Sequence, residues 1–180
     1  MPRDFVIACG AYVLECTPSG LPAIYDELKR HAALAEELAL DQRDLCCLTV
    51  RRAGEAWPFL TLAQGCAPDV AGLSPAALLV AASRTLFVGY GDRLLALRLE
   101  PVARLWQEPA AGAFQLWEQH GDVVLSVAER ALRAWTLDGT ARWSLSIDPP
   151  WTHRLLGDRV EVVDGRGRAQ AFELRAGPRR

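Results

Sequence analysis

Residues 114–150, FQLWEQHGDVVLSVAERALRAWTLDGTARWSLSIDPP, are the stretch from which the fold is read, because the chain carries the same pattern on either side of them. Residues 77–113, ALLVAASRTLFVGYGDRLLALRLEPVARLWQEPAAGA, fall into register with them at a spacing of 37, and residues 151–180, WTHRLLGDRVEVVDGRGRAQAFELRAGPRR, form a shortened third copy. Leu86, Val123 and Val160 share one column, Val88, Leu125 and Val162 another, and Trp106 and Trp143 a third. A fixed period of this size marks stacked supersecondary units.

Each unit predicts short strands joined by tight turns. Leading strands are expected at 78–82, 114–118 and 151–156, second strands at 85–90, 123–127 and 159–163, and third strands at 94–99, 132–137 and 169–174. Glu100-Pro101 and Asp138-Gly139 then turn the chain into fourth strands ending at Trp106 and Ile147. Asp-Gly between apolar runs is a strong hairpin signal, since glycine accepts the positive φ the turn requires. The third unit has no fourth strand, and Phe5–Cys16 is expected to close onto it and cover the edge.

Upstream, Phe5–Cys16 reads as one strand kinked at Gly10 or as two short strands. Between residues 22 and 40 the period changes. Ile24, Leu28, Ala32, Ala35 and Leu38 lie on one face of a helix, with Asp26, Glu27, Lys29, Arg30, Glu36 and Glu37 facing away. Strands are predicted at 45–52 and 57–64, and a Gly/Pro-broken loop at 65–75. The expected fold is mainly β: one domain over 1–180, with N-terminal strands and an amphipathic helix (1–76) followed by the repeats (77–180).

Four short antiparallel strands per ~40 residues is the layout of a propeller blade. The repeats resemble β-propeller blades of the WD type and the quinoprotein type, with strand–turn–strand–(Asp-Gly or Glu-Pro)–strand and a tryptophan in the last strand, as in DGTARWSL. The Gly-His and Trp-Asp pairs of WD repeats are missing. DGTARW and DPPWTHR are also similar to segments of small uncharacterised bacterial proteins. The resemblance implies a small propeller-like ring or an open, barrel-like meander, and transfers no cofactor site.

Composition narrows the function classes. A formal charge of −2 gives no footprint for nucleic acid or an anionic membrane. The longest run almost free of charge, 67–83, is interrupted by Pro68, Gly72 and Pro75, short of the ~20 apolar residues of a membrane helix. No signal-peptide pattern opens the chain. Five cysteines, odd in number and without a C-x-x-C pair, suit a reducing cytoplasm and predict neither a disulfide framework nor a metal site. Nineteen of the twenty basic residues are arginine, a bacterial codon bias that weakens any arginine cluster as evidence for phosphate binding.

No catalytic set or cofactor motif emerges. The glycine-preceded Asp92, Asp122 and Asp158 suit turn capping. The residues left over are Trp117, His120, Trp151, His153 and Arg154, an aromatic, histidine and arginine group of the kind that dominates protein-binding hot spots. The expected function is a non-enzymatic protein-interaction module of a bacterial cytoplasm, in a narrower version an immunity-type inhibitor, with a protein partner or self-association through edge strands. The alternative is a small thiol enzyme or ligand binder using Cys46 or Cys47 and a histidine between the helix and the sheet.

Overall fold

A computed structural model describes residues 4–66 and 75–179, so most of the predicted 65–75 loop lies outside the described residues. The first sheet contains β1 (Phe5–Cys9), β2 (Tyr12–Thr17), β3 (Leu34–Leu38), β4 (Asp44–Arg52) and β5 (Leu60–Cys66), in the order β1-β2-β4-β5-β3. The second is the meander β6 (Ala76–Val80), β7 (Thr85–Tyr90), β8 (Arg93–Leu99) and β9 (Val102–Pro109). The third repeats it as β10 (Phe114–His120), β11 (Val123–Ala128), β12 (Ala131–Thr136) and β13 (Ala141–Ser146). The fourth has three strands among the described residues: β14 (Trp151–Leu156), β15 (Arg159–Asp164) and β16 (Ala169–Glu173).

Strand alternation decides how the sheets stack, because successive side chains point to opposite faces. Leu86 and Val88 on β7, with Leu95 and Leu97 on β8, face the first sheet's Leu14, Leu48, Val50 and Leu62. The alternate residues Phe87, Leu94 and Ala96 face the third sheet's Phe114, Val124 and Trp135. Val123, Leu125 and Leu132 in turn face Val160, Val162 and Phe172 of the fourth. The middle sheets pack on both faces, so every residue of β7 and β11 is buried, including the polar Thr85 and Ser126. The result is a propeller-like fan of four face-packed sheets.

The leading strands run along one side of the fan. Cys9 Sγ of β1 lies 4.0 Å from the Leu79 carbonyl of β6, and β10 comes close to β6 and β7. Gly89 of β7 has room only for hydrogen, since a Cβ there would sit 2.4 Å from the Phe114 ring.

Two expectations are corrected. The helix is α1 (Tyr25–His31), seven residues long, not 22–40. Ala32 turns extended, the N–H groups of Ala33 and Leu34 both donate to Phe59 O, and 34–38 pairs parallel with β5. Sheet pairing supplies the backbone partners there, and alternation carries Leu34 and Leu38 into the first core. Phe5–Cys16 is a hairpin turned at Gly10 (φ +60°) and belongs to the first sheet; it does not close onto the third unit. The described strands form four separate sheets and no closed barrel, and the two ends of the fan differ. Tyr25 of α1 packs on Cys47 and Ala63, covering the outer face of the first sheet. No such element lies over the outer face of the fourth among the described residues.

Candidate functional site

Position along a strand separates the five predicted site residues. On β10 the register shifts between Phe114 and Leu116, after which Glu118 and His120 pair with Leu125 and Val123 and share their side, towards the fourth sheet. Trp117 therefore faces the other way. It packs against Phe87, Phe114 and Trp135, with ring centroids 5.3–5.6 Å apart, inside the second core. Trp117 is half-buried, packed against the second core. Its buried Nε1 has no hydrogen-bond partner among the described residues.

On β14, Trp151 and His153 face the third sheet, whereas Arg154 points out of the fan. Trp151 donates its indole N–H to Glu129 O at 2.7 Å. Arg154 pairs with Glu161 on the bare outer face.

The structure does join His120 and His153, through a residue the sequence did not single out. Glu118 Oε2 lies 3.2 Å from His120 Nε2 and 3.0 Å from His153 Nε2. A carboxylate oxygen only accepts, so both rings carry hydrogen on Nε2. Burial disfavours the ionised carboxyl, but the bonds and charge of His153, then of His120, outweigh burial and hold Glu118 below its ordinary range. The triad ties the leading strands of two sheets together. Among the described residues, no group of three or more His, Cys, Asp or Glu side chains is arranged to hold a metal ion.

Burial makes poor nucleophiles of Cys16, Cys46 and Cys47. Cys16, Cys46 and Cys47 are buried to within 2% exposure. Burial raises Cys16 to about 12 and Cys47 to about 11, and drives Cys46 up as well. A reactive cysteine needs the opposite environment, exposed and electropositive. Tyr25 fills the space over Cys47 where the helix meets the sheet.

The turn aspartates act structurally. Asp164 accepts from the N–H groups of Arg166 and Arg168, and Asp138 from that of Thr140. Asp122 bridges Arg142 and Arg175, joining the third sheet to the segment after β16.

What remains open is the outer face of the fourth sheet: Thr152, Arg154, Leu156, Arg159, Ala169, Ala171 and Glu173 are exposed, with Glu161 and Val163 half-buried between them. A shallow depression of about 370 Å³ lies around Thr152, Arg154, Glu161 and Val163. Leu156 is 50% exposed.

No protein-family model and no curated protein matches the chain. Among solved structures it is similar to BamB from Moraxella catarrhalis, at 16% identity and a TM-score of 0.48, covering 96% of this chain and 45% of that one. It is also similar to Hsv2 from Kluyveromyces lactis, at 13% identity and a TM-score of 0.31, covering 51% of this chain and 30% of that one. The chain thus spans less than half the length of either.

Proposed function

We propose that the chain is a non-catalytic protein-interaction module that docks its partner on the outer face of the fourth sheet. The observation behind this reading is the contrast between the two ends of the fan: one is covered by α1, the other presents Leu156, Ala169 and Ala171 beside Arg154 and Arg159. Repeat scaffolds use capping elements to close the ends of a stacked core. An apolar patch rimmed by polar groups and left uncovered suits protein contact. The thiol chemistry of the rival reading has buried, protonated cysteines against it.

The module acts in a reducing cytoplasm on this reading, the compartment that suits the free thiols of Cys9, Cys16, Cys46 and Cys47. An immunity-type inhibitor would use such a face to block a toxin. No helix among the described residues is long and apolar enough to cross a membrane. The test is site-specific crosslinking in the producing cell, with a photo-reactive phenylalanine analogue in place of Leu156 and, as control, of the exposed turn residue Asp92. A protein adduct from position 156 and none from position 92 is expected; no adduct from position 156 contradicts the reading.

A further inference from the structure

We infer that the free edge of β16 takes up an extended segment of a partner protein as the fourth strand of the fourth sheet. A large aromatic side chain of that segment, tryptophan above all, stands opposite Ala171. This rests on the reading above, that the fourth sheet is where a protein docks, and names the form the partner takes there. The contact is strand addition, main chain to main chain.

The repeat shows what fills this position. The third strands carry one motif three times: Ala96-Leu97-Arg98-Leu99, Ala134-Trp135-Thr136-Leu137 and Ala171-Phe172-Glu173-Leu174. Its closing leucine is held alike in the second and fourth sheets, with Leu99 N–H donating to Arg84 O and Leu174 N–H to Asp158 O, each at 2.8 Å. Ala96 pairs with Trp106 of β9, and Ala134 pairs with Trp143 of β13. In both pairs the register shifts beside the alanine, and such a bulge re-aims the side chain next to it. The indoles then reach the following sheet, Trp106 stacking on Trp135 and Trp143 meeting Phe172 edge-on. Ala171 holds the same place with no strand across from it. β16 pairs with β15 on one edge, and among the described residues no strand pairs with the other.

Backbone chemistry makes the occupant a strand. An edge presents a row of N–H and C=O groups that extended main chain matches along its length. The corresponding edges of the other sheets are blunted by charge or proline: β3 carries Glu36 and Glu37, β9 carries Arg104 and ends at Pro109, and β13 carries Arg142. In β16 the run Ala169-Gln170-Ala171-Phe172 has neither. A groove of about 270 Å³ lies beside its first residues, walled by the apolar Leu145, Ile147 and Val162 and by Gln170. An added strand would lay alternate side chains over that groove and turn the aromatic one to the outer face.

A second copy does not supply this segment. Paired edge to edge with its like, β16 brings up only Ala169, Ala171 and Glu173 on the aromatic's side. The fourth-strand tryptophans of the chain are already engaged, Trp106 with Gly139 O at 2.6 Å and Trp143 with Leu174 O at 2.7 Å. The occupant is a different protein that exposes an extended segment with one large aromatic residue among small ones.

The probe is a synthetic peptide of residues 139–148, GTARWSLSID, which is the chain's own fourth strand with its tryptophan in place. Added to the purified chain at about 1 mM, it should slow hydrogen exchange at the edge-facing amides of β16 about tenfold, as a site of roughly 0.1 mM affinity does. The Trp143→Ala version of the peptide should bind about tenfold more weakly. Ala171→Lys in the chain, a charge of the kind that blunts natural edges, should weaken the parent peptide by a similar factor. Ala171 is exposed, and circular dichroism checks that the variant folds. Unchanged exchange in β16 overturns the inference, as does equal binding of the two peptides. Slowed exchange in the concentrated chain without peptide overturns the foreign strand in favour of a second copy. The crosslinker at position 156 judges the docking face separately. A protein adduct there beside unchanged exchange in β16 overturns the added strand alone, whereas slowed exchange with no adduct supports the strand and overturns the docking face.

Discussion

The indole N–H of Trp143 donates to the carbonyl of Leu174, 2.7 Å away, and the same ring lies against Gly177 of the next unit. One repeat earlier, Trp106 donates to the carbonyl of Gly139 at 2.6 Å, with Nε1 3.4 Å from where a Gly139 Cβ would stand. The 37-residue tryptophan column is thus a repeated joint. Each ring leaves its own sheet and closes on a glycine turn of the following one, satisfying its N–H as a buried indole requires.

Gly177→Ala should therefore be among the costliest glycine substitutions. A Cβ there would stand 2.4 Å from Trp143 Cγ, and φ is +77°. Overpacking and a left-handed backbone together should cost about 3 kcal/mol. Gly157 also has positive φ but open space around it, so Gly157→Ala should cost only about 1 kcal/mol. Urea midpoints of the two variants make the comparison, and equal losses would show that the ring contact carries no weight.

Trp106→Phe should keep most of the stacking on Trp135, whose centroid is 5.1 Å away, and lose the bond to Gly139. A loss of about 1 kcal/mol in chemical unfolding is expected, the size of one hydrogen bond. A variant as stable as the parent would mean that the Gly139 carbonyl is equally well satisfied without the indole.

Glu118 sets a pH dependence with a definite sign. Its carboxyl is held below the ordinary value of 4.5, so its contribution is present above that value and lost as pH falls through the folded pKa. Glu118→Gln should destabilise the protein by about 1 kcal/mol near pH 6, with the gap closing as pH falls through the lowered folded-state value. Melting of both proteins across that range is the check. A gap that persists unchanged however far the pH is lowered would show that the histidine bonds do not depend on the charge.

Thiol labelling separates the two functional readings. Burial holds Cys16 near 12 and Cys47 near 11, so at pH 8 neither should react with a disulfide reagent in the folded protein, while the half-buried Cys9 should label first. Rapid labelling of Cys47 without denaturant would revive the thiol-enzyme reading.

The repeats were legible because spacing and turn chemistry agreed. Leading strands at 114 and 151, second strands at 85, 123 and 159, and the turns between them follow from apolar columns bounded by Gly and Asp. The stretch 32–40 was not legible, because Ala32, Ala35 and Leu38 fit a helical stripe while Leu34, Glu36 and Leu38 fit a strand alternation equally well. The pairing partner that decided it, β5, is more than 20 residues away in sequence.

The grouping of Trp117 with His120 ignored strand parity. Three residues apart on one strand, they point to opposite faces, and the same rule divides Arg154 from His153. Parity also puts Glu118 beside His120, a signal available in the sequence. That His153 reaches the same carboxylate depends on how two sheets stack, which no local pattern states.

Everything proposed about function turns on whether the outer face of the fourth sheet is covered by protein. Carbene footprinting reads this directly, by comparing the dilute purified chain with the chain in concentrated extract of its producing cell. Labelling of Leu156, Ala169 and Ala171 should fall in the extract while that of the turn residue Asp92 stays constant. Equal labelling of the three residues in both states would contradict the docking face.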